Sequence, residues 1–239
     1  MIHCMDVGKK YGDTWSLHPI HEEIMPGRIV ALCGSNGTGK STLLNLMNGT
    51  IQPSTGVIQL NGYTIKQRRR YNQSFGYMPD DFSFDDAWSV DETFSYYSIL
   101  QGARPNPEIL RRVGLDEHKQ KRVSELSKGM RQRLLLSQAL VSEPDILLLD
   151  EPTNGLDPLW MHTLSELLRQ EAERGATIVF STHQLDVAAM LSDEVWMMRA
   201  GAVCGKVYVQ DEQAAYERLR EFFFESKDDT CQMDAARTK

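Results

Sequence analysis

The chain has 239 residues, a length that fits one or two compact domains. Hydrophobic residues make up 41% and charged residues 25%, as is ordinary for a folded soluble protein. Its formal net charge of −7 argues against a protein that binds duplex nucleic acid, because such proteins usually present a basic face. No stretch approaches the ~18–20 apolar residues of a transmembrane helix, and the first residues lack a long apolar run, so we expect neither a membrane span nor a signal peptide.

In the first half of the chain, short apolar runs alternate with helical patterns. Residues 28–33 predict a buried strand, which leads into a glycine-rich turn and then a helix from about Gly39 to Asn48. Residues 56–60 alternate like a strand and end at the turn signal Asn61-Gly62. This alternation of strand and helix is typical of an α/β fold.

The second half begins with a long helical stretch. Residues 90–140 carry few strand signals, which predicts an inserted helical subdomain at about 85–140. Apolar runs at 146–150 and 176–182 then predict buried strands on either side of a helix. Buried strands separated by helices predict a mainly parallel sheet covered on both faces.

The chain closes with a predicted C-terminal unit. We expect a first domain at 1–210, followed at 211–239 by a helix of about 211–225 and a polar tail. The run of three phenylalanines at 222–224 is expected to pack on the domain, with an oligomer contact as the less favoured alternative. The widely spaced Cys4, Cys33, Cys204 and Cys231 are expected to be free thiols in a reducing cytosol.

A glycine-rich segment follows the first buried strand. Residues 34–41 read GSNGTGKS and fit the pattern G-x-x-x-x-G-K-[ST]. Glycines let the backbone curl so that successive N–H groups face one anion, and the next helix adds the positive end of its dipole. Lys40 can reach the terminal phosphates of a nucleotide, and the Ser41 hydroxyl can bind Mg²⁺. The segment therefore predicts a phosphate site.

The strand at 146–150 ends in two carboxylates, Asp150 and Glu151. Side chains alternate along a strand, so these two point in different directions. We interpret Asp150 as a metal ligand and Glu151 as the base that faces an attacking water. Such a strand is a weak signal by itself, but together with the phosphate loop it predicts nucleotide hydrolysis.

A second helix start lies within the helical stretch. Ser127 is a good N-cap for a helix that runs to about Leu140, and Gly129 lies near its tip. Such a start can bind an anion, yet it is far in sequence from Lys40. From the residues alone, a plain capped helix is as good an interpretation as an anion site.

Taken together, these segments resemble the nucleotide-binding subunits of ABC transporters over about residues 2–205. The segments that carry the resemblance are the phosphate loop GSNGTGKST (34–42), the lead into the Q-loop GYMP (76–79), the signature LSKGMRQR (126–133), the metal strand ILLLDEP (146–152), the D-loop NGLD (154–157) and the switch histidine of STHQLD, His183. The resemblance implies a P-loop NTPase core with a mainly parallel sheet, an antiparallel β part near the N-terminus and an inserted α-helical subdomain. It also implies ATP and Mg²⁺ as ligands.

The family's site residues can be carried over to matching positions. Nucleotide contacts are implied for Tyr11, which would stack on adenine, and for Gly34, Ser35, Asn36, Gly37, Thr38, Gly39, Lys40, Ser41 and Thr42. Glu151 and His183 are implied as catalytic residues, and Ser41, Asp150 and Asp80 as metal ligands. The signature residues Ser127, Lys128, Gly129 and Met130 would contact the nucleotide of a partner subunit.

The resemblance also implies partners. A second nucleotide-binding subunit, expected to be a second copy, would face the chain head to tail. Transmembrane permease subunits would dock near residues 80–105 and hold the chain at the cytoplasmic face of the cell membrane as a peripheral subunit. No nucleic acid is expected as a partner.

Two departures bear on these expectations. Asp80 stands where the family usually has the Q-loop glutamine, and a carboxylate has a shorter reach and adds charge. Lys128 and Met130 stand where glycine and glutamine are commonest, while Ser127 and Gly129 remain. This signature, with NGLDP after the metal strand, is most similar to the exporter branch served by small membrane subunits.

Other functions fit less well. A soluble ABC-type ATPase that acts on ribosomes or DNA usually has two nucleotide modules or a long coiled-coil insert, whereas this chain has one module and an acidic balance. A P-loop kinase or GTPase would leave the signature helix unexplained. We therefore expect an ATPase subunit that powers transport across a membrane.

Overall fold

The computed structural model describes residues 1–225. Its strands are β1 (Ile2–Tyr11), β2 (Thr14–Ile24), β3 (Ile29–Cys33), β4 (Thr55–Leu60), β5 (Phe75–Met78), β6 (Ile146–Leu149), β7 (Thr177–Thr182), β8 (Glu194–Arg199) and β9 (Ala202–Tyr208). Its α-helices are α1 (Lys40–Met47), α2 (Arg68–Gln73), α3 (Val90–Leu100), α4 (Pro107–Arg112), α5 (Lys128–Leu140), α6 (Pro158–Glu173), α7 (Leu185–Leu191) and α8 (Glu212–Glu225). Within these 225 residues no helix is long and apolar enough to cross a bilayer.

The strands form two sheets. An antiparallel sheet has the order β2-β1-β4, and a larger sheet has the order β5-β6-β7-β3-β8-β9. In the larger sheet all neighbours are parallel except β8 and β9, which pair antiparallel. The predicted P-loop NTPase core, with a mainly parallel sheet and an antiparallel part near the N-terminus, is confirmed.

The parallel sheet separates two hydrophobic clusters. Val30 and Leu32 face a cluster shared with α1 and the antiparallel sheet, whereas Ala31 and Cys33 face a cluster shared with α3 to α8. Every residue of β3, β6 and β7 is buried. This burial on both faces explains why these strands are continuous apolar runs in the sequence.

The predicted helical insertion lies between β5 and β6 and contains α3, α4 and α5. A capping box starts α3: Ser89 Oγ accepts from the Glu92 N–H, and the Glu92 carboxylate accepts from the Ser89 N–H at 2.8 Å. Asn106 and Ser127 cap α4 and α5 in the same way, each accepting a backbone N–H. Polar residues thus fix where each helix of the insertion begins.

The C-terminal helix α8 packs on the main core. Phe222 and Phe223 contact the cluster shared with α3 to α7, as expected, whereas Phe224 is 54% exposed. The polar tail predicted after this helix lies outside the described residues. The division into units 1–210 and 211–239 stays a prediction.

The cysteines differ in part from expectation. Cys4 and Cys33 are free and buried. Cys204 takes part in a disulfide bond, so the expectation of a free thiol is wrong there, because distance along the chain does not measure distance in the fold. Cys231 lies outside the described residues.

Candidate nucleotide site

Most of the predicted site residues meet at one edge of the parallel sheet. The phosphate loop follows β3, the two carboxylates Asp150 and Glu151 follow β6, and His183 follows β7. Because β6, β7 and β3 are adjacent and parallel, their carboxyl ends bring these segments together. Asp80 follows β5, the next strand of the sheet, and so joins the same edge.

The phosphate loop has a conformation that requires glycine. Gly37 and Gly39 have φ values of 81° and 100°, in the left-handed region. A Cβ on Gly39 would lie 2.8 Å from the carbonyl oxygen of Ser16, so the loop also has no room for a side chain there. α1 begins at Lys40, directly after the loop, and its positive end therefore favours an anion at the loop.

Hydrogen bonds within the loop hold its lysine. Lys40 is buried, and its Nζ donates to the carbonyl oxygens of Gly34 and Ser35 at 2.8 and 3.1 Å. Thr38 Oγ1 donates to the same Ser35 carbonyl at 2.9 Å. The ammonium group is thereby held inside the curl of the loop, whose successive N–H groups could face one anion.

Asp150 is buried beside the phosphate loop. Ser41 Oγ donates to its Oδ1 at 3.3 Å, and Ser181 Oγ donates to the same oxygen. Within residues 1–225 no cationic side chain forms an ion pair with Asp150. Buried charges are normally paired or bound to a metal, and carboxylate and hydroxyl oxygens are ligands that Mg²⁺ prefers.

Glu151 is held in a strained conformation. Its φ of 48° is in the left-handed region, which costs a non-glycine residue ~1–3 kcal/mol. Its N–H donates to Ser181 Oγ at 2.9 Å, and its carbonyl accepts from Gln132 Nε2 at 3.3 Å. Its carboxylate lies 3.1 Å from Nδ1 of His183, whose side chain is 48% exposed while that of Glu151 is 10% exposed. The bonds with Ser181 and Gln132 thus hold Glu151 so that its nearly buried carboxylate lines the cavity beside the phosphate loop.

These residues enclose a pocket of about 420 Å³. It is lined by Ser16, Asn36, Gly37, Gly39, Lys40, Ser41, Thr42, Asp80, Glu151, Asn154 and His183. The Ser16 and Thr42 hydroxyls lie within 2.9 Å of each other, and Asn154 Nδ2 donates to Asp80 Oδ1 at 2.9 Å. One cavity therefore combines phosphate-binding backbone, one ammonium and two carboxylates.

The signature segment is separate from this pocket. Ser127 caps α5 by accepting from the Met130 N–H at 3.2 Å. A Cβ on Gly129 would lie only 2.7 Å from the carbonyl oxygen of Gly155, and the side chain of Lys128 also lies against Gly155. Among the described residues that line the pocket, none belongs to 127–130. The second helix start therefore does not serve this chain's own phosphate loop.

Gly34, Ser35 and Thr38, although they belong to the phosphate loop, do not line the pocket. The implied contact residue Tyr11 lies outside it as well. It ends β1 with 57% of its surface exposed, and Lys9 Nζ lies 5.1 Å from its ring centroid. Ser16, on the strand that pairs with β1, does line the pocket. Stacking of Tyr11 on adenine stays a prediction.

Sequence reasoning missed four residues that the fold brings to the site: Ser16, Ser181, Gln132 and Asn154. Ser181 is a polar residue inside a fully buried strand, which was the available signal for it. Gln132 and Asn154 lie inside the signature and D-loop segments, but nothing in those segments indicated bonds to Glu151 or to Asp80. Each bond joins residues that are at least 19 positions apart.

Comparisons with known proteins identify the family of this chain. A family model described as ABC transporter matches residues 17–154. The Nod factor export ATP-binding protein I of Burkholderia orbicola (strain AU 1054) is 34% identical over 207 residues, which are 84% of this chain and 68% of that protein. The ABC transporter ATP-binding protein NatA of Bacillus subtilis (strain 168) is 30% identical over 232 residues, which are 92% of this chain and 93% of that protein.

A solved structure gives the same result. CbiO1 of Clostridium perfringens, described as part of the ABC transporter complex cbiONQ, superposes with a TM-score of 0.77 at 31% identity and covers 92% of this chain and 93% of its own. The family match includes the phosphate loop and both carboxylates of β6. The chain therefore belongs to the ABC transporter family, as one of its ATP-binding, ATP-hydrolysing cassettes.

Proposed function

We propose that the chain is the ATP-hydrolysing subunit of a membrane exporter and that permease subunits hold it at the cytoplasmic face of the membrane. One observation carries the dimer on which this proposal rests: the phosphate loop and the start of α5 are both helix starts that could bind an anion, and residues 127–130 at the start of α5 do not line the phosphate-loop pocket. The names of two relatives, a Nod factor export ATP-binding protein and an ABC transporter ATP-binding protein, support the membrane role.

In a head-to-tail dimer, the start of α5 would contact the nucleotide bound by the partner chain. Two copies related by a two-fold axis would each place Ser127 and Gly129 at the phosphate loop of the other. The helix N-terminus would then face the terminal phosphate across the interface. A second copy of this chain is sufficient, since each copy carries both halves of the composite site.

The chemistry is hydrolysis of the bond between the β- and γ-phosphates of ATP. A water oxygen attacks the γ-phosphorus, the bond to the bridging oxygen breaks, ADP leaves, and Glu151 accepts the proton that the water loses. Such a positioned base contributes ~10²–10⁴ to the rate. Lys40 and the loop N–H groups stabilise the charge that develops on the phosphate oxygens. His183, whose Nδ1 lies 3.1 Å from the Glu151 carboxylate, would donate to a γ-phosphate oxygen.

The donor set also fits a divalent cation. Ser41, Asp150 and Asp80 are the residues that would hold Mg²⁺, and the buried Asp150 without an ion pair among the described residues supports this assignment. Mg²⁺, when bound, neutralises charge on the β- and γ-phosphate oxygens.

A groove of about 1100 Å³ supports a docking site for the permease. It runs between the α2–β5 region and the connection from α3 to α4, and its lining includes Arg68, Leu100, Arg104 and Val141. At the end of α3, Ile99 and Leu100 are 66% and 62% exposed, and neighbouring exposed apolar side chains can mark an interaction site. A permease segment with an apolar face and acidic residues would match this lining.

Mixing two inactive variants tests the composite site. Lys40→Ala removes the phosphate-loop ammonium, and Gly129→Ala blocks the signature segment, so we expect each variant alone to be inactive. In a head-to-tail pair of one Lys40→Ala chain and one Gly129→Ala chain, both defects fall in the same pocket and the other pocket is intact. An equal mixture should recover about one quarter of the wild-type rate, because half of the dimers are mixed and each has one working site. No recovery would contradict the head-to-tail arrangement.

Glu151→Gln tests the base. We expect ATP hydrolysis to fall by ~10²–10⁴ while ATP binding persists, and ATP to shift the variant from monomer to dimer in light scattering after gel filtration. Glu173→Gln, an exposed glutamate at the end of α6, is the matched control and should behave as wild type. A Glu151→Gln variant that hydrolyses ATP at the wild-type rate would exclude Glu151 as the base.

Leu100→Glu tests the docking groove. With the permease genes co-expressed, the wild-type chain should sediment with membranes, and this variant should remain in the supernatant while its ATPase activity without permease is unchanged. A variant that sediments like wild type would contradict docking at this groove. A wild-type chain that sediments with ribosomes instead of membranes would favour the alternative of a soluble ABC-type ATPase.

A further inference from the structure

In this chain, Asp80 stands where the family usually has the Q-loop glutamine, and it accepts a hydrogen bond from Asn154. Asp80 stands at the end of β5, and Asn154 lies in the loop that follows β6. Asn154 Nδ2 donates to Asp80 Oδ1 at 2.9 Å, and both side chains line the phosphate pocket. We propose that Asn154 is a positioning residue that fixes the Asp80 carboxylate for a divalent cation at the γ-phosphate. This inference rests on the proposed role of Asp80 as a metal ligand.

The hydrogen bond occupies only part of the carboxylate. An ionised carboxylate has two oxygens with about four lone-pair directions, and Asn154 uses one of them on Oδ1. Oδ2 therefore stays available as a metal ligand. Because the amide is neutral, it orients the carboxylate without cancelling the negative charge that attracts a cation.

Asp80 needs such a partner because its own surroundings leave it exposed. An exposed aspartate is free to rotate about its side-chain bonds, and holding it costs entropy when a ligand binds. A donor that fixes it beforehand lowers this cost, as outer partners of metal ligands do in general. Among the described residues, Asn154 is the side chain that donates a hydrogen bond to the Asp80 carboxylate.

Asn154 is itself held firmly. Its N–H donates to the Glu151 carbonyl at 3.1 Å, and the next residue, Gly155, lies against Gly129 at the start of α5. The strand ends that carry the pair are joined as well, since the Asp150 N–H donates to the Met78 carbonyl at 2.8 Å. The amide is thus presented from a fixed loop and not from a mobile one.

The test measures metal binding apart from catalysis. In a Glu151→Gln background with ATP present, Mn²⁺ binding is followed by the loss of the free-ion electron paramagnetic resonance signal. We expect Asn154→Ala to weaken Mn²⁺ binding about tenfold. Asn154→Ser, whose hydroxyl is too short to reach Asp80, should give the same loss and guards against a folding defect in one variant. Gln170→Ala, an exposed amide at the far end of α6, is the control and should bind Mn²⁺ as the background does.

A double-mutant comparison identifies the residue through which Asn154 acts. Asp80→Ala should weaken Mn²⁺ binding at least as much as Asn154→Ala, and adding Asn154→Ala to Asp80→Ala should cause no further loss. If Asp80→Ala weakens Mn²⁺ binding and Asn154→Ala does not, the positioning role is wrong while the metal role of Asp80 stands. If Asp80→Ala has no effect, the metal role of Asp80 is wrong and the positioning role falls with it. Equal losses from Asn154→Ala with and without Asp80 would also overturn the inference.

Discussion

Replacing Ser181 by alanine tests how the strained Glu151 is held. The Ser181 hydroxyl is fully buried, accepts the Glu151 N–H at 2.9 Å and donates to Asp150. The substitution leaves the Glu151 N–H without an acceptor in a site that is closed to water. It also removes one of the two hydroxyls that donate to the buried Asp150 carboxylate, while Ser41 remains.

The expected cost follows from these two bonds. A buried donor left unsatisfied costs ~1–3 kcal/mol, and a hydrogen bond to a charged group contributes ~1.5–3 kcal/mol. Allowing for the bond that Ser41 keeps, we expect Ser181→Ala to lower the free energy of unfolding by about 2–4 kcal/mol. For a chain of this size the melting temperature should then fall by about 4–16 °C. Turnover should also fall, by about ten- to hundredfold, because the base is less well positioned.

Urea unfolding and steady-state ATP hydrolysis measure the two effects. Ser137→Ala is the matched control, since Ser137 is also fully buried but its hydroxyl only donates to the Leu134 carbonyl within α5. That control should cost less than about 1 kcal/mol and leave turnover unchanged. If Ser181→Ala were as stable and as active as Ser137→Ala, Ser181 would not be what holds Glu151.

Two further outcomes are expected. The Gly129→Ala variant should still bind ATP as an isolated chain, as measured with a fluorescent nucleotide, but should not hydrolyse it. The reason is that the new Cβ would lie 2.7 Å from the Gly155 carbonyl oxygen and displace the start of α5. Wild-type turnover by this variant would contradict the expectation. Burial raises the pKa of the Cys4 and Cys33 thiols from 9.0 to about 12, so the folded state holds these protons more tightly than the unfolded chain does. The stability this contributes is complete below pH 9 and is lost as pH rises toward 12, by up to about 2.7 kcal/mol per pH unit for the two thiols. Urea unfolding between pH 8 and 11 should show this decline in the wild type, and a weaker decline in a variant with both cysteines replaced by alanine.

The parts of the site that sequence predicts are those encoded by consecutive residues. The phosphate loop is one such part, because its glycines and Lys40 determine a local backbone curl whatever the rest of the chain does. Asp150 and Glu151 are another such part, since an apolar run followed by two carboxylates predicts a buried strand with both acids at its end. The N-cap of α5 at Ser127 was likewise readable from a few neighbouring residues.

The contacts that sequence did not predict depend on which strands are neighbours. Ser181 reaches Glu151 because β6 lies beside β7, and Asn154 reaches Asp80 because β5 lies beside β6. Apolar periodicity indicates that a strand is buried but not which strand lies next to it. The disulfide bond of Cys204 was not predicted for the same reason, since pairing of cysteines depends on their distance in the fold and not along the chain.

The position of α5 has a mechanical consequence. This helix has 13 residues and therefore a length of about 20 Å, with Ser127 capping one end and Val141, in the lining of the large groove, following the other. Gln132, on its second turn, bonds the Glu151 carbonyl. A displacement at the groove would thus be transmitted along one continuous helix, past the proposed base Glu151, to the end that would face the partner's triphosphate in the proposed dimer.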